Sequence, residues 1–217
     1  MQPSLSALFS GGPALRLIDL AISVQESSGK LSLDDEIRRY IRVIGNDWTA
    51  HWNCSVYASA AVLEFAAESI AASGSLDSYP PEFREKVVKA AGSMEPAEYL
   101  HLLAEMVRIL DREPPPEYEE LPMAGWEFLQ LFPNLFGLDA VLMDEGDLPF
   151  AGIVRRFVTN EHPYCFDRAV GLTTEAQRAL VLFPGEKCLE GHNYWGTRDR
   201  MRELIETIND HMQREHA

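Results

Sequence analysis

WTAHWNCSVYASAAVLEFAAESIAAS, residues 48–73, is the stretch whose reading decides the fold class. Val56, Ala60, Leu63, Ala67 and Ile70 recur in it at spacings of three and four, the period that lines one face of an α-helix. The other faces are largely Ala and Ser, so neighbours can approach this helix closely from several sides, as they do around the centre of a bundle. Glu64 and Glu68 interrupt its apolar run, and no stretch of eighteen or more apolar residues occurs elsewhere, which argues against a membrane span.

The same period extends in both directions. Upstream, Leu15, Leu17, Ile18, Ala21 and Ile22 predict a helix over residues 13–28, closed by Ser27-Ser28-Gly29. Ser32 followed by Asp35 has the chemistry of a helix start, a capping hydroxyl before an acidic first turn, and Ile37, Tyr40, Ile41 and Ile44 carry that helix to Gly45. Downstream, Pro80 and Pro81 open a helix that Gly92 closes. Tyr99, Leu100, Leu103, Met106, Val107 and Leu110 form the stripe of another, over residues 96–112.

Glu113-Pro114-Pro115-Pro116-Glu117 stops that series, because consecutive prolines cannot sit in a helix interior. The expected organisation is a helical, bundle-like part at 1–112, a connection at 113–122 rich in proline and glutamate, and a mixed, mainly helical part at 123–217, with one continuous domain as the alternative. In the last part Trp126, Phe128, Leu129, Leu131, Phe132, Leu135 and Phe136 form a dense apolar cluster. Residues 141–143 and 153–159 read as short strands of a β hairpin, bridged by Asp144-Glu145-Gly146-Asp147. Thr174 and Gln177 have the spacing of a capping box, which predicts a helix start there. Thr197 caps a final helix whose Met201, Leu204, Ile205, Ile208 and Met212 share one face. The fold class is therefore mainly α, with a short β hairpin in the C-terminal part.

The net charge of −15 argues against nucleic-acid binding through a basic face, which needs clustered Lys and Arg. Residues 111–147 carry one basic residue against ten acidic ones: Asp111, Glu113, Glu117, Glu119, Glu120, Glu127, Asp139, Asp144, Glu145 and Asp147. A surface built from these groups attracts a basic protein partner and mainly accelerates its association. A solvated face that aids solubility is the other reading of the same run. The first residues lack a basic segment ahead of their apolar ones, and the three cysteines do not form a disulfide framework, so a cytoplasmic location is expected.

Each cysteine has a histidine close by: His51 and Cys54, His162 and Cys165, Cys188 and His192. The last two pairs read H-x2-C and C-x3-H, and His162, Cys165, Cys188 and His192 together could supply the four donors of a tetrahedral zinc site. Standard zinc modules pair like with like at each knuckle, and a free cysteine is commonly a small buried hydrophobe, so a core role stands beside the metal reading. Glu161, Glu186 and Glu190 flank these residues and could act as a general base beside a metal-bound water. No nucleophile elbow, phosphate-binding loop, dinucleotide fingerprint or zinc-protease motif occurs, and zinc is the one cofactor the sequence suggests. Three functions follow. The first is an acidic, immunity- or antitoxin-like protein that binds a basic partner without catalysis. The second is a metal-dependent enzyme using residues around 161–192, and the third a helical regulatory or scaffold domain.

Overall fold

The computed structural model describes residues 9–47, 54–144, 148–186, 189–193 and 195–216, the side chains of Met143 and Asp144 aside. Among the described residues ten helices have given bounds, and there is no strand. None of those helices is long and apolar enough to cross a membrane. The chain divides into two compact units, Met1–Pro122 and Met123–Ala217.

The first unit contains α1 (Pro13–Glu26), α2 (Leu33–Asn46), α3 (Val56–Ser73), α4 (Pro81–Ala91) and α5 (Pro96–Leu110). Ser55 opens α3 by accepting the Ala58 amide, and Gly74 closes it at φ +67°, a left-handed conformation that costs a residue without Cβ least. The small residues of α3 do what their size suggests. Ala60, Ala66 and Ala67 are fully buried, and α3 lies against α5, which buries Leu100, Leu103, Ala104 and Val107. Phe9, Tyr79 and Phe83 form an aromatic cluster with ring centroids 4.7–5.2 Å apart. The Tyr40 hydroxyl meets Ser59 Oγ at 2.8 Å inside this core. Burial is the main reason that its phenol is pushed up to about 12.

The proline-rich segment belongs to this unit through one face of α2. Arg38 pairs with Glu113 at 2.5 Å, and Arg39 Nε donates to the Pro122 carbonyl at 3.1 Å. Arg42, itself buried, donates through Nη1 to the carbonyls of Pro116 (3.1 Å) and Leu121 (2.8 Å). Its guanidinium also lies 4.0 Å from the Tyr118 ring centroid. Pro114, Pro115 and Pro116 have no backbone N–H to donate, so this stretch is fastened to α2 through its carbonyls, and these arginines donate to them.

The second unit contains α6 (Gly125–Leu131), α7 (Pro133–Asp144), α8 (Phe150–Asn160), α9 (Cys165–Leu182) and α10 (Arg198–Glu215). α10 packs along both α8 and α9, and α9 also meets α7. The core is built from Leu131, Phe132, Leu135, Leu138, Val154, Leu172, Ala176, Met201, Leu204 and Ile208. Glu175 of α9 caps α7 from the side. Its carboxylate accepts the backbone amides of Asn134 (3.0 Å) and Leu135 (2.9 Å) and the Asn134 side-chain amide (2.5 Å). Burial nevertheless keeps this carboxyl above its ordinary range, against the pull of those three donors.

The expected β hairpin is not present. Residues 141–143 lie in α7, and 153–159 lie in α8. Leu135, Leu138 and Leu142 recur at three and four, as do Phe150, Ile153, Val154 and Val158, while Arg155 and Arg156 point to solvent. Tertiary burial of a helical stripe overrides the β preference of the branched residues. The expected turn at 144–147 starts on the last residue of α7, and residues 145–147 lie outside the described residues. The helix expected to start at Thr174 begins nine residues earlier, at Cys165. The helix expected from residue 48 begins at Val56, and residues 48–53 lie outside the described residues.

Replacing Arg42 with alanine strands the buried Leu121 carbonyl and the half-buried Pro116 carbonyl. It should lower the unfolding free energy by about 2–3 kcal/mol, read as a shifted denaturant midpoint, whereas Arg38→Ala, at an exposed pair, should cost under about 1 kcal/mol. Equal effects of the two substitutions would show that Arg42 does not anchor the segment.

Candidate metal centre

α10 brings its C-terminal end to the turn between α8 and α9, and four side chains converge there. His162 lies in that turn, and Cys165 is the first residue of α9. His211 sits on the buried face of α10, three residues beyond Ile208, and His216 is the C-cap of the same helix. The ligating atoms of His162, Cys165, His211 and His216 all lie within 4.8 Å of one another. From Cys165 Sγ the distances are 3.0 Å to His216 Nε2, 3.4 Å to His211 Nε2 and 3.8 Å to His162 Nδ1. The imidazole centroids are 4.8–6.1 Å apart.

The donor chemistry fits a borderline transition metal. Zinc bound at about 2.3 Å to sulfur and about 2.0 Å to nitrogen in a tetrahedron requires sulfur–nitrogen separations of roughly 3.5 Å. The three observed distances fall on either side of that value. Cys165 and His211 are buried, while His162 and His216 are exposed, so the cluster closes over the sulfur and opens toward solvent at its rim. Burial holds His211 below the ordinary histidine range, helped by the neighbouring His216 and His162 rings and opposed by the Glu215 carboxylate. The neutral imidazole is the form that coordinates a metal.

Half of the sequence-derived donor set is present here. His162 and Cys165 join the cluster, and the other two donors found among the described residues are His211 and His216. Cys188 lies outside the described residues. His192 lies flat on Phe128, with centroids 5.0 Å apart and planes 5° from parallel, and among the described residues it joins no such donor group. Burial lowers its pKa, against a backbone hydrogen bond at Met123 and the charge of Glu127. It is a half-buried histidine stacked on an aromatic ring. The signal for the missing half was the spacing His211-x4-His216, which matches the second knuckle of many zinc modules. A search confined to histidines beside cysteines passes over it.

The residues considered as general bases are not gathered around the cluster. Glu161 is exposed at the C-cap of α8. Glu186 and Glu190 line a separate recess of about 500 Å³ with Thr197, Arg198 and Arg202. The acidic residues of 111–147 also have diverse fates. Asp111, Glu113, Glu117, Glu119 and Glu120 are exposed in the first unit. Glu127 of the second unit is fully buried and accepts the Ala124 amide at 3.1 Å, and Asp139 accepts the Trp195 indole N–H at 2.9 Å. The Asp144 side chain, Glu145 and Asp147 lie outside the described residues.

No family model, no curated protein and no solved structure matches this chain.

Cobalt(II) reports the two donor sets separately, through sulfur-to-metal charge transfer and the d–d bands of a tetrahedral ion. Cys165→Ser should abolish the charge-transfer band, and His211→Ala or His216→Ala should weaken binding by more than the roughly 10–100-fold typical of losing an outer-shell partner. Cys188→Ser and His192→Ala should leave spectrum and affinity unchanged. Dependence of the spectrum on Cys188 would instead restore the donor set expected from sequence.

Proposed function

We propose that this protein binds one zinc ion through His162, Cys165, His211 and His216, and that the ion fastens the end of α10 to the turn between α8 and α9. The observation that supports this reading is the convergence of one thiol and three imidazoles from segments 45 or more residues apart in sequence. Closing so long a loop costs chain entropy, and metal coordination repays it as folding free energy. Four protein donors complete a tetrahedron and leave no position for substrate, so the ion has a structural or regulatory role rather than a catalytic one. The sulfur and three nitrogens favour zinc over calcium or magnesium, which take oxygen ligands.

Metal analysis and calorimetry test this. The chain freed of metal by a chelator should take up one equivalent of zinc and gain about 2.7 kcal/mol of stability when free zinc exceeds its dissociation constant 100-fold. Absence of stoichiometric uptake, with the fold unchanged by chelator, would remove the proposal.

A second reading concerns the first unit. Glu117, Glu119 and Glu120 are exposed on the segment that the α2 arginines hold in place, and this supports a docking surface for a basic protein partner. Binding through it should weaken steeply between low and high salt and show a slower association rate in Glu117→Gln/Glu119→Gln/Glu120→Gln, measured by surface plasmon resonance against the captured partner. Salt-indifferent binding would exclude that surface.

A further inference from the structure

We propose that the exposed face of α9 is the contact between two copies of this chain, paired antiparallel about a two-fold axis that passes between Thr173 and Thr174. The face is separate from the zinc donors and does not depend on the metal reading.

Phe166, Val170 and Val181 of α9 are 60%, 46% and 79% exposed. With Thr174 and Gln177, also exposed, they recur at intervals of four, four, three and four, so one uncharged stripe follows the helix for four turns. Thr173 lies beside it, its hydroxyl occupied by the Ala169 carbonyl at 2.7 Å. The other eighteen-residue helix of this unit, α10, shows what an exposed face looks like when water is its intended neighbour. It carries the pairs Arg202–Asp199 (2.8 Å), Arg200–Glu203 (2.6 Å) and Arg214–Asp210 (2.7 Å). An uncharged stripe with an exposed phenylalanine is the signature of a covered surface.

The order of residues along the stripe identifies what covers it. Inverted about the midpoint between Thr173 and Thr174, the stripe maps onto itself: Phe166 meets Val181, Val170 meets Gln177, and Thr173 meets Thr174. Self-complementarity under a two-fold axis is the condition for an isologous contact. The flanking charges come close to the same inversion, Asp167 of one copy lying two residues, about 3 Å along the helix, from Arg178 of the other. Asp167 and Arg178 lie on one edge of the stripe near its opposite ends, and Arg178 is held there by a bond from Nη1 to the Leu131 carbonyl at 3.2 Å. Antiparallel pairing sets Asp167 of each copy beside Arg178 of the other, so two opposite-charge pairs border the apolar seam. Charge limits the alternatives as well. Two chains of net charge −15 repel across most of their surfaces, and a face without ionised groups is where they can approach.

Sedimentation velocity over a concentration series, run on the metal-free and the zinc-loaded chain, tests this directly. Both forms should shift from one chain to two as concentration rises, and Val170→Glu should weaken self-association by at least roughly 100-fold, because it buries a pair of carboxylates near the axis. Circular dichroism of that variant should be unchanged, since Val170 faces solvent in the single chain. Independently, Thr174→Cys should give a disulfide-linked dimer on mild oxidation that the native chain, with its own cysteines, does not give. A native chain that remains a single chain up to its solubility limit would overturn the proposal. So would a dimer that tolerates Val170→Glu and fails to cross-link through Thr174→Cys.

Discussion

The second unit depends on the burial of one stripe of α10 against α8 and α9. Met201, Leu204 and Ile208 are almost completely removed from water, and each such side chain contributes about 1.5–3 kcal/mol. That burial fixes the rotation and the axial position of a rigid rod. His211 lies on the same stripe one turn further on, and His216 lies just beyond the last helical residue. Their meeting with His162 and Cys165 is therefore a consequence of hydrophobic register. A slip of α10 by one residue would turn His211 about 100° away from the sulfur. The apolar contacts position the four donor side chains.

Much of the fold could be read from periodicity because most helices here bury a single stripe. α1, α2, α4, α5 and α10 begin and end within a few residues of the positions that their capping residues, prolines and glycines mark. The failures have a common cause. Ile153, Val154 and Val158 are β-branched, and Val141 with Leu142 forms a short apolar run, so local preference favoured strands. Their burial against neighbouring helices, which no local window contains, decided otherwise. Thr174 misled for a related reason: it resembles a cap, but it is one exposed position of a helix that α7 and α10 hold from outside.

The candidate metal centre was half legible. His162 and Cys165 are three residues apart, and sequence alone can show that they share one turn. Their partners arrive from a different element, and proximity in sequence selected His192, which instead completes an aromatic stack with Phe128. The acidic run shows the converse. Its charge density is plain in the sequence, yet whether a carboxylate faces water or a backbone amide depends on tertiary position. Glu127 and Asp139 satisfy buried or half-buried donors, whereas Glu117 and Glu119 face solvent.

The arginines of α2 alter the meaning of the proline-rich segment. Three consecutive prolines suggest a spacer, and spacers can be shortened or severed at little cost. Here residues 113–122 are instead a strap whose carbonyls are the hydrogen-bond acceptors of a buried guanidinium. A fragment ending at residue 112 would remove two carbonyls that accept from Arg42 and uncover its guanidinium, while one ending at Pro122 keeps both. The natural seam of this protein for proteolysis, truncation or fusion thus lies after the strap, some ten residues beyond the point where the helical pattern stops.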